Sequence, residues 1–407
     1  MAGRASVPSD HPNYVFGFGP AADQARSEAD VVLVAGSRIG NLDVPYDGHW
    51  GDPEGKRLIQ IDIDPRNFGV TRPISLGIVA DARLALDGIG QRLRAIDLGA
   101  RDGADLARYR ELDQQVRARQ AAPILEWQGP GIHPAHALGA IGAVFGSDAV
   151  YTVDGGNTSL WAYTVLPPTR SRSYHSILEL GMLGTGIPSA IGARLGAPDR
   201  EVVCITGDGA AGFNIMEMQT AARERLAISV IVFAEGAWTM EELNELQMYG
   251  TTFGTAQGEI RWDLVARGLG CEGEYVERIE DLDSALRRAR EYEGPSLICL
   301  RTDHSANLNI PADMIGRFAE VYNGPAHDAT ELPSPHQHRA TQPWEEVKSS
   351  DLDAMMGNMS TLGIPASSRC RRIRRRVGQP RRAAVEMTVA LLFGRGSWWM
   401  QHLLRVC

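Results

Sequence analysis

Six apolar, β-branched runs set the terms of the fold: VVLVAG at 31–36, LIQIDI at 58–63, AVYTV at 149–153, EVVCIT at 201–206, ISVIVF at 228–233 and SLICL at 296–300. They are bounded by Gly, Asp or Pro, and most are continuous rather than alternating, the pattern of strands covered on both faces. Helix-length stretches separate them; Leu106, Tyr109, Leu112 and Val116, for example, fall on one face of a helix over 104–120. Parallel strands need such crossovers, so the expected class is α/β.

The stretch AAPILEWQGPGIHP at 121–134 gathers Pro and Gly between a polar helix and a new apolar one, and reads as a linker. It divides a first domain, 1–120, from a second, 135–325; residues 326–407 read as a further linker and an Arg-rich tail. Residues 367–407 carry ten Arg and one Glu, leaving 31 basic and 49 acidic side chains in the rest of the chain. An acidic body argues against nucleic acid as the main partner. The tail, beginning SSRCRRIRRRVGQPRR, has no apolar periodicity. It reads either as a basic arm for RNA or an anionic membrane, or as a disordered appendage or translation past a frame shift. The abrupt change of composition favours the second pair. No run of 18 apolar residues occurs, so no transmembrane helix and no membrane partner are expected. The start, MAGRASVPSDHP, lacks the secretory pattern, and the five scattered cysteines (204, 271, 299, 370, 407) make no disulfide framework. The expected compartment is the cytoplasm.

The chemistry concentrates in VVCITGDGAAGFNIMEMQTAARERLAISVIVFAEGAWTM at 202–240. A strand ends in Gly207-Asp208-Gly209, and a helix with Phe213, Met216 and Thr220 on its apolar face follows. The next strand ends in Ala234-Glu235-Gly236-Ala237-Trp238. Two parallel strands joined by one helix finish at the same sheet edge, so Asp208 and Glu235 are expected side by side where open α/β sheets bind ligands. One or two carboxylates suit Mg²⁺, which keeps its other positions for phosphate and water. The small residues Gly209 and Ala210 let backbone N–H groups approach a diphosphate. Alone, Gly-Asp-Gly is a weak sign, since most such triplets are tight turns; its flanking strands and second acidic turn give it weight.

With those residues in view, the segment resembles the thiamine-diphosphate motif, in which Gly-Asp-Gly is followed by a metal-binding turn usually written Asn-Asn. Residues 135–310 resemble the diphosphate-binding domain of the acetolactate synthase and pyruvate decarboxylase superfamily. DGGNTSLWA at 154–162 is similar to its first loop, and SILELGMLGTGIPSAIGA at 176–193 to its Gly-rich segment. Residues 5–95 resemble the middle domain of the same enzymes through DHPNYVFGFGPAA, ADVVLVAGSRIG and IQIDIDPRNFGVTRPISLGIVAD. The resemblance implies two doubly wound parallel-sheet domains, with thiamine diphosphate and Mg²⁺ as cofactors. Asp208, Glu235 and the Ala237 carbonyl would hold the metal. Gly156, Asn157, Thr158, Gly207, Gly209 and Ala210 would hold the diphosphate, with Met182 also against the cofactor. Gly181 would accept from the aminopyrimidine, Leu183 would bend the cofactor, and Glu241 falls where some members place an active-site Glu. FAD is a further candidate, with Arg38, Asp62 and Asp81 at motif positions. Blander readings stay open beside these. Asn157 could cap a helix, Arg38 be a surface charge and Asp62 a strand-end cap. Trp238 and Met240 could pack on the cofactor or at an interface, and His175 and His304 be ordinary surface or interface histidines.

Two departures matter. Glu235 stands where the family has Asn, adding a negative charge near a diphosphate. The chain also begins at the middle domain, so the resemblance implies that a pyrimidine domain, with its catalytic Glu, comes from a partner chain or is missing. The implied activity is acetolactate synthase-like decarboxylation and carboligation of a 2-oxoacid such as pyruvate, by a homo-oligomer or a split enzyme. The alternatives are another decarboxylase or lyase of this fold, acting on an aryl 2-oxoacid, an oxalyl thioester or a sulfonated aldehyde, or a silent fragment that only binds. A nicotinamide-type Rossmann protein is disfavoured, because no G-x-G-x-x-G follows VVLVAG.

Overall fold

The computed structural model describes residues 6–16, 19–40, 50, 55–96, 103–166, 170–176 and 181–310, all inside one compact unit, Met1–His336. The expectations for the Arg-rich tail, with Cys370 and Cys407, lie outside the described residues. Both sheets are parallel, as the strand pattern requires. The smaller runs β1 (Val31–Ala35), β2 (Arg57–Asp62), β3 (Leu76–Val79) in that order. Around it lie α1 (Pro20–Glu28), α2 (Ala82–Arg94) and α3 (Ala104–Leu125). Full cover of this sheet is not what the described residues show: Val31 is 52% and Leu33 43% exposed. Helix α3 also runs five residues into the stretch read as linker, where Ile124 packs against the larger core.

The larger sheet holds β4 (Val150–Asp154), β5 (Tyr174–His175), β6 (Val202–Gly207), β7 (Ser229–Ala234), β8 (Glu272–Val276) and β9 (Ser296–Arg301), ordered β5-β4-β6-β7-β9-β8. Its inner strands β4, β6, β7 and β9 are covered on both faces, which is why their runs are uninterrupted. Along β6, Val203 and Ile205 enter a core with α4 (Pro134–Phe145), α5 (Asn157–Val165) and α11 (Ile279–Glu291). Val202 and Cys204 enter the opposite core, with α6 (Gly186–Gly196), α7 (Asp208–Asn214), α8 (Glu217–Arg223) and α10 (Trp262–Gly268). Each such Val, Leu or Ile contributes roughly 1.5–3 kcal/mol on full burial. Local signals agree with the packing. Helix α4 begins with Pro134 behind a His133 cap and stops at Gly146, whose φ is 74°. Helix α11 has Glu280 and Asp281 in its first turn and Arg288 and Arg290 in its last, each matched to the helix dipole.

The helix expected after Gly-Asp-Gly is broken. Helix α7 ends at Asn214 and α8 starts at Glu217. Phe213 and Met216 are 60% and 65% exposed instead of buried; the core side is Ala210, Ala211, Ile215, Met218 and Ala221. The break turns the second half, so one heptad reading cannot serve both pieces. Cys204, Cys271 and Cys299 are buried and free. No described helix is long and apolar enough to cross a membrane.

A candidate cofactor and cation site

The chain leaves β4 into α5 on one face and β6 into α7 on the other. Loops that diverge in this way open a crevice at the carboxyl edge. That crevice, narrow at about 40 Å³, is lined by Gly155–Thr158, Leu183, Gly207–Ala210, Glu235 and Ala237–Glu241. Gly156, Asn157, Thr158, Leu183, Gly207, Asp208, Gly209, Ala210, Glu235, Ala237 and Glu241 are thus brought together. Gly181 and Met182 do not line it; both are exposed, Met182 by 56%. The crevice walls are tight. A Cβ on Gly156 would lie 2.8 Å from Met240 Cβ, and one on Gly209 would lie 2.9 Å from the Trp238 ring. Trp238 in turn meets Phe213 edge-on, with centroids 5.9 Å apart.

Asp208 is 5% exposed and accepts three backbone N–H groups: Gly209 at 2.7 Å on Oδ1, and Glu235 at 3.0 Å and Gly236 at 2.6 Å on Oδ2. The two loops expected to meet are therefore joined by this carboxylate. Burial pushes its pKa up to about 6, against the pull of the Gly236 N–H, and the Glu235 charge adds to the rise. The Glu235 carboxylate is 9% exposed; its Oε2 accepts from Asn307 Nδ2 at 2.8 Å and lies 3.6 Å from His304 Nδ1.

Four residues did not stand out in the sequence or stood out wrongly. Asp154, 4% exposed, accepts from Gly155 N at 2.8 Å and Gly186 N at 2.7 Å, tying the first loop to the start of α6. Burial raises its pKa while those N–H groups pull it down. The intervening turn uses Gly184 at φ 86°, a conformation that side chains resist. In the sequence the only sign of Asp154 is its place closing a buried strand just before Gly155-Gly156. Asn307, 1% exposed, sits on α12 (His304–Leu308) and has no local motif. His304 is not an ordinary surface histidine: its Nε2 is 3.2 Å from Glu242 Oε2 on α9 (Thr239–Tyr249), and the Glu235 and Glu242 charges raise its pKa. Asn157 is not the cap of α5, which is Gly156; its Nδ2 donates to the Asn307 carbonyl at 3.5 Å, and its buried Oδ1 has no partner. His175 is exposed on the short edge strand β5.

The residues at the other motif positions serve the backbone. Asp62 accepts from Asp64 N at 2.9 Å and Asn67 Nδ2 at 3.1 Å, as a strand-end cap does, and Asp81 caps α2 by accepting from Leu84 N at 3.0 Å. Arg38 follows β1 and is half-buried.

Comparison with known proteins completes the picture. Residues 154–300 match the family described as thiamine pyrophosphate enzyme, C-terminal TPP binding domain, and residues 1–89 match thiamine pyrophosphate enzyme, central domain. The chain belongs to the thiamine pyrophosphate enzymes. It is 30% identical over 312 residues to sulfoacetaldehyde acetyltransferase of Castellaniella defragrans, covering 70% of this chain and 51% of that one. It is 26% identical over 287 residues to the catabolic acetolactate synthase of Raoultella terrigena, covering 70% and 50%. The thiamine diphosphate-dependent 4-hydroxybenzoylformate decarboxylase of Rhodococcus jostii RHA1 superposes with a TM-score of 0.59 at 25% identity, over 74% of this chain and 54% of that one. The chain thus spans about half the length of the relatives it matches.

As a thiamine pyrophosphate enzyme, the chain has residues that fit the group. Asn157 Oδ1 is a buried acceptor without a partner, and a Cβ would be crowded at both Gly156 and Gly209 of the crevice. A buried acid raised to about 6 beside a second carboxylate gains from a cation.

Proposed function

We propose that this chain holds thiamine diphosphate and Mg²⁺ for decarboxylation of a 2-oxoacid such as pyruvate and carboligation of the resulting unit, in the manner of acetolactate synthase. Residues 1–120 would be the central domain and 135–325 the diphosphate-binding domain. The observation that carries this reading is the single crevice joining Asp208, the Glu235 turn and the 155–158 loop. Asp208, Glu235 and the Ala237 carbonyl supply hard oxygens for the cation, whose charge offsets both acids. Gly156, Asn157, Thr158, Gly207, Gly209 and Ala210 border the diphosphate, their small side chains leaving room for close approach of the backbone. Leu183 would offer an apolar surface to the cofactor, and Gly181 and Met182, outside the crevice, would meet its aminopyrimidine part. Glu241, which lines the crevice, would face the substrate. When bound, the cofactor supplies a nucleophilic carbon and an electron sink. A second copy or a partner chain contributes the pyrimidine-side surface.

Transfer of an acetyl unit from sulfoacetaldehyde is a second reading, favoured by 30% identity to the acetyltransferase against 26% to the acetolactate synthase. Calorimetric titration with thiamine diphosphate and Mg²⁺ tests the common part. Wild type should bind, and Asp208→Ala should lose at least about tenfold in affinity, since removing even a group that only supports a metal ligand costs roughly 10–100-fold. Absence of heat from the wild type rejects the proposal. Turnover of pyruvate or sulfoacetaldehyde, with a pyrimidine-domain partner supplied, separates the two readings.

A further inference from the structure

Glu235 is the residue at which this chain's cation turn departs from the family, and its carboxylate is gripped from outside the turn. Trp161 Nε1 on α5 donates to Asn307 Oδ1 at 2.6 Å, and Asn307 Nδ2 donates to Glu235 Oε2 at 2.8 Å. Trp161 and Asn307 are each 1% exposed, so neither end can turn to water for a substitute.

The polarity of this relay is forced. An indole N–H only donates, so the Asn307 oxygen must accept and its NH₂ must face an acceptor. Flipping the amide would set donor against donor at Trp161 and oxygen against oxygen at Glu235, each a buried mismatch. Pinning Oε2 also removes rotamer freedom from a side chain with three torsions. The ordering is thus complete before any cation arrives.

We infer that Asn307, held by Trp161, is a positioning residue that fixes the Glu235 carboxylate for cation binding. The inference rests on the cation site proposed above and adds to it a support from α12 and α5, outside both loops of the motif. Supports of this kind change metal affinity by roughly 10–100-fold when removed.

The test is a Mn²⁺ titration of the full chain in the presence of thiamine diphosphate, read as loss of the free Mn²⁺ electron paramagnetic resonance signal. Asn307→Leu should weaken Mn²⁺ binding roughly 10–100-fold. In a Glu235→Ala background the same substitution should change nothing further, because its acceptor is gone. Trp161→Phe, which keeps the ring and removes the donor, should act in the same direction and by less, again only when Glu235 is present. It carries the test alone if Asn307→Leu fails to fold. Wild-type affinity in Asn307→Leu overturns the inference, as does an equal loss with and without Glu235, which would make Asn307 merely structural. If the wild type itself takes up no Mn²⁺ with thiamine diphosphate, the proposed function falls first and the inference with it.

Discussion

Helix α6 contains a matched pair of glycines that measures how tightly the crevice is built. At Gly186 an added Cβ would lie 2.8 Å from Asp154 Cβ, 3.0 Å from Cys204 Sγ and 3.3 Å from Asp154 Oδ2. Both neighbours are on central strands, 4% and 0% exposed, and have nowhere to go. Overpacking of this kind costs about 1–3 kcal/mol. The shift would also stretch the 2.7 Å bond from Gly186 N to Asp154, a bond to a charged group. Losing such a bond outright costs about 1.5–3 kcal/mol, and partial loss somewhat less. Against this stands the helix gain of Ala over Gly, about 0.5–1 kcal/mol. Gly186→Ala should therefore destabilise by roughly 2–4 kcal/mol. Gly192, one and a half turns further along the same helix, has nothing within 4 Å of its Cβ position. Gly192→Ala should stabilise by about 0.5–1 kcal/mol. Urea unfolding followed by circular dichroism, with the midpoints compared at a common slope, gives both numbers. Equal shifts for the two variants, or a Gly186→Ala chain within about 0.5 kcal/mol of wild type, would refute the packing argument.

Asp154→Asn keeps the shape but turns an NH₂ toward one of the two N–H donors. It should cost about 1–3 kcal/mol in urea and weaken thiamine diphosphate binding, and an unchanged affinity would show that the clamp does not shape the crevice. His133 is 5% exposed, and burial pushes its pKa down to about 4 from 6.5. The unfolded chain takes up that proton near 6.5 and the folded chain only near 4, so stability falls as pH drops through this window, by up to about 3 kcal/mol. His133→Asn retains a capping acceptor for Ala135 N and should flatten thermal stability between these pH values; an unaltered profile would count against the assignment. Phe213→Ser, at a position 60% exposed, should cost no more than about 1.5 kcal/mol, the upper worth of its edge-on contact with Trp238, whereas truncating a Phe on a buried face costs about 3–5 kcal/mol.

The six strands legible in the sequence are those whose runs are long and apolar. β8, reading EGEYV, carries Gly and two acids, and β5 has only two residues, so neither offers a run to find. The meeting of Asp208 with the Glu235 turn followed from parallel direction and adjacency, since one helix between neighbouring parallel strands brings both strand ends to the same sheet edge. Asn307 did not, because its place depends on β9 docking beside β7 while β8 takes the edge, and no local spacing encodes that order. The break between α7 and α8 escaped for a related reason. Phe213 and Met216 satisfy helical periodicity, and only tertiary packing shows that the small residues beside them are the ones enclosed.

The late arrival of β9 has a consequence for how the protein matures. Strands β4, β6 and β7 leave the ribosome with both acids and the crevice glycines Gly156, Gly207 and Gly209, yet Asn307 can hold Glu235 only once it has emerged and settled on Trp161. The Glu235 carboxylate therefore takes its fixed position only when the last strand of the sheet is in place.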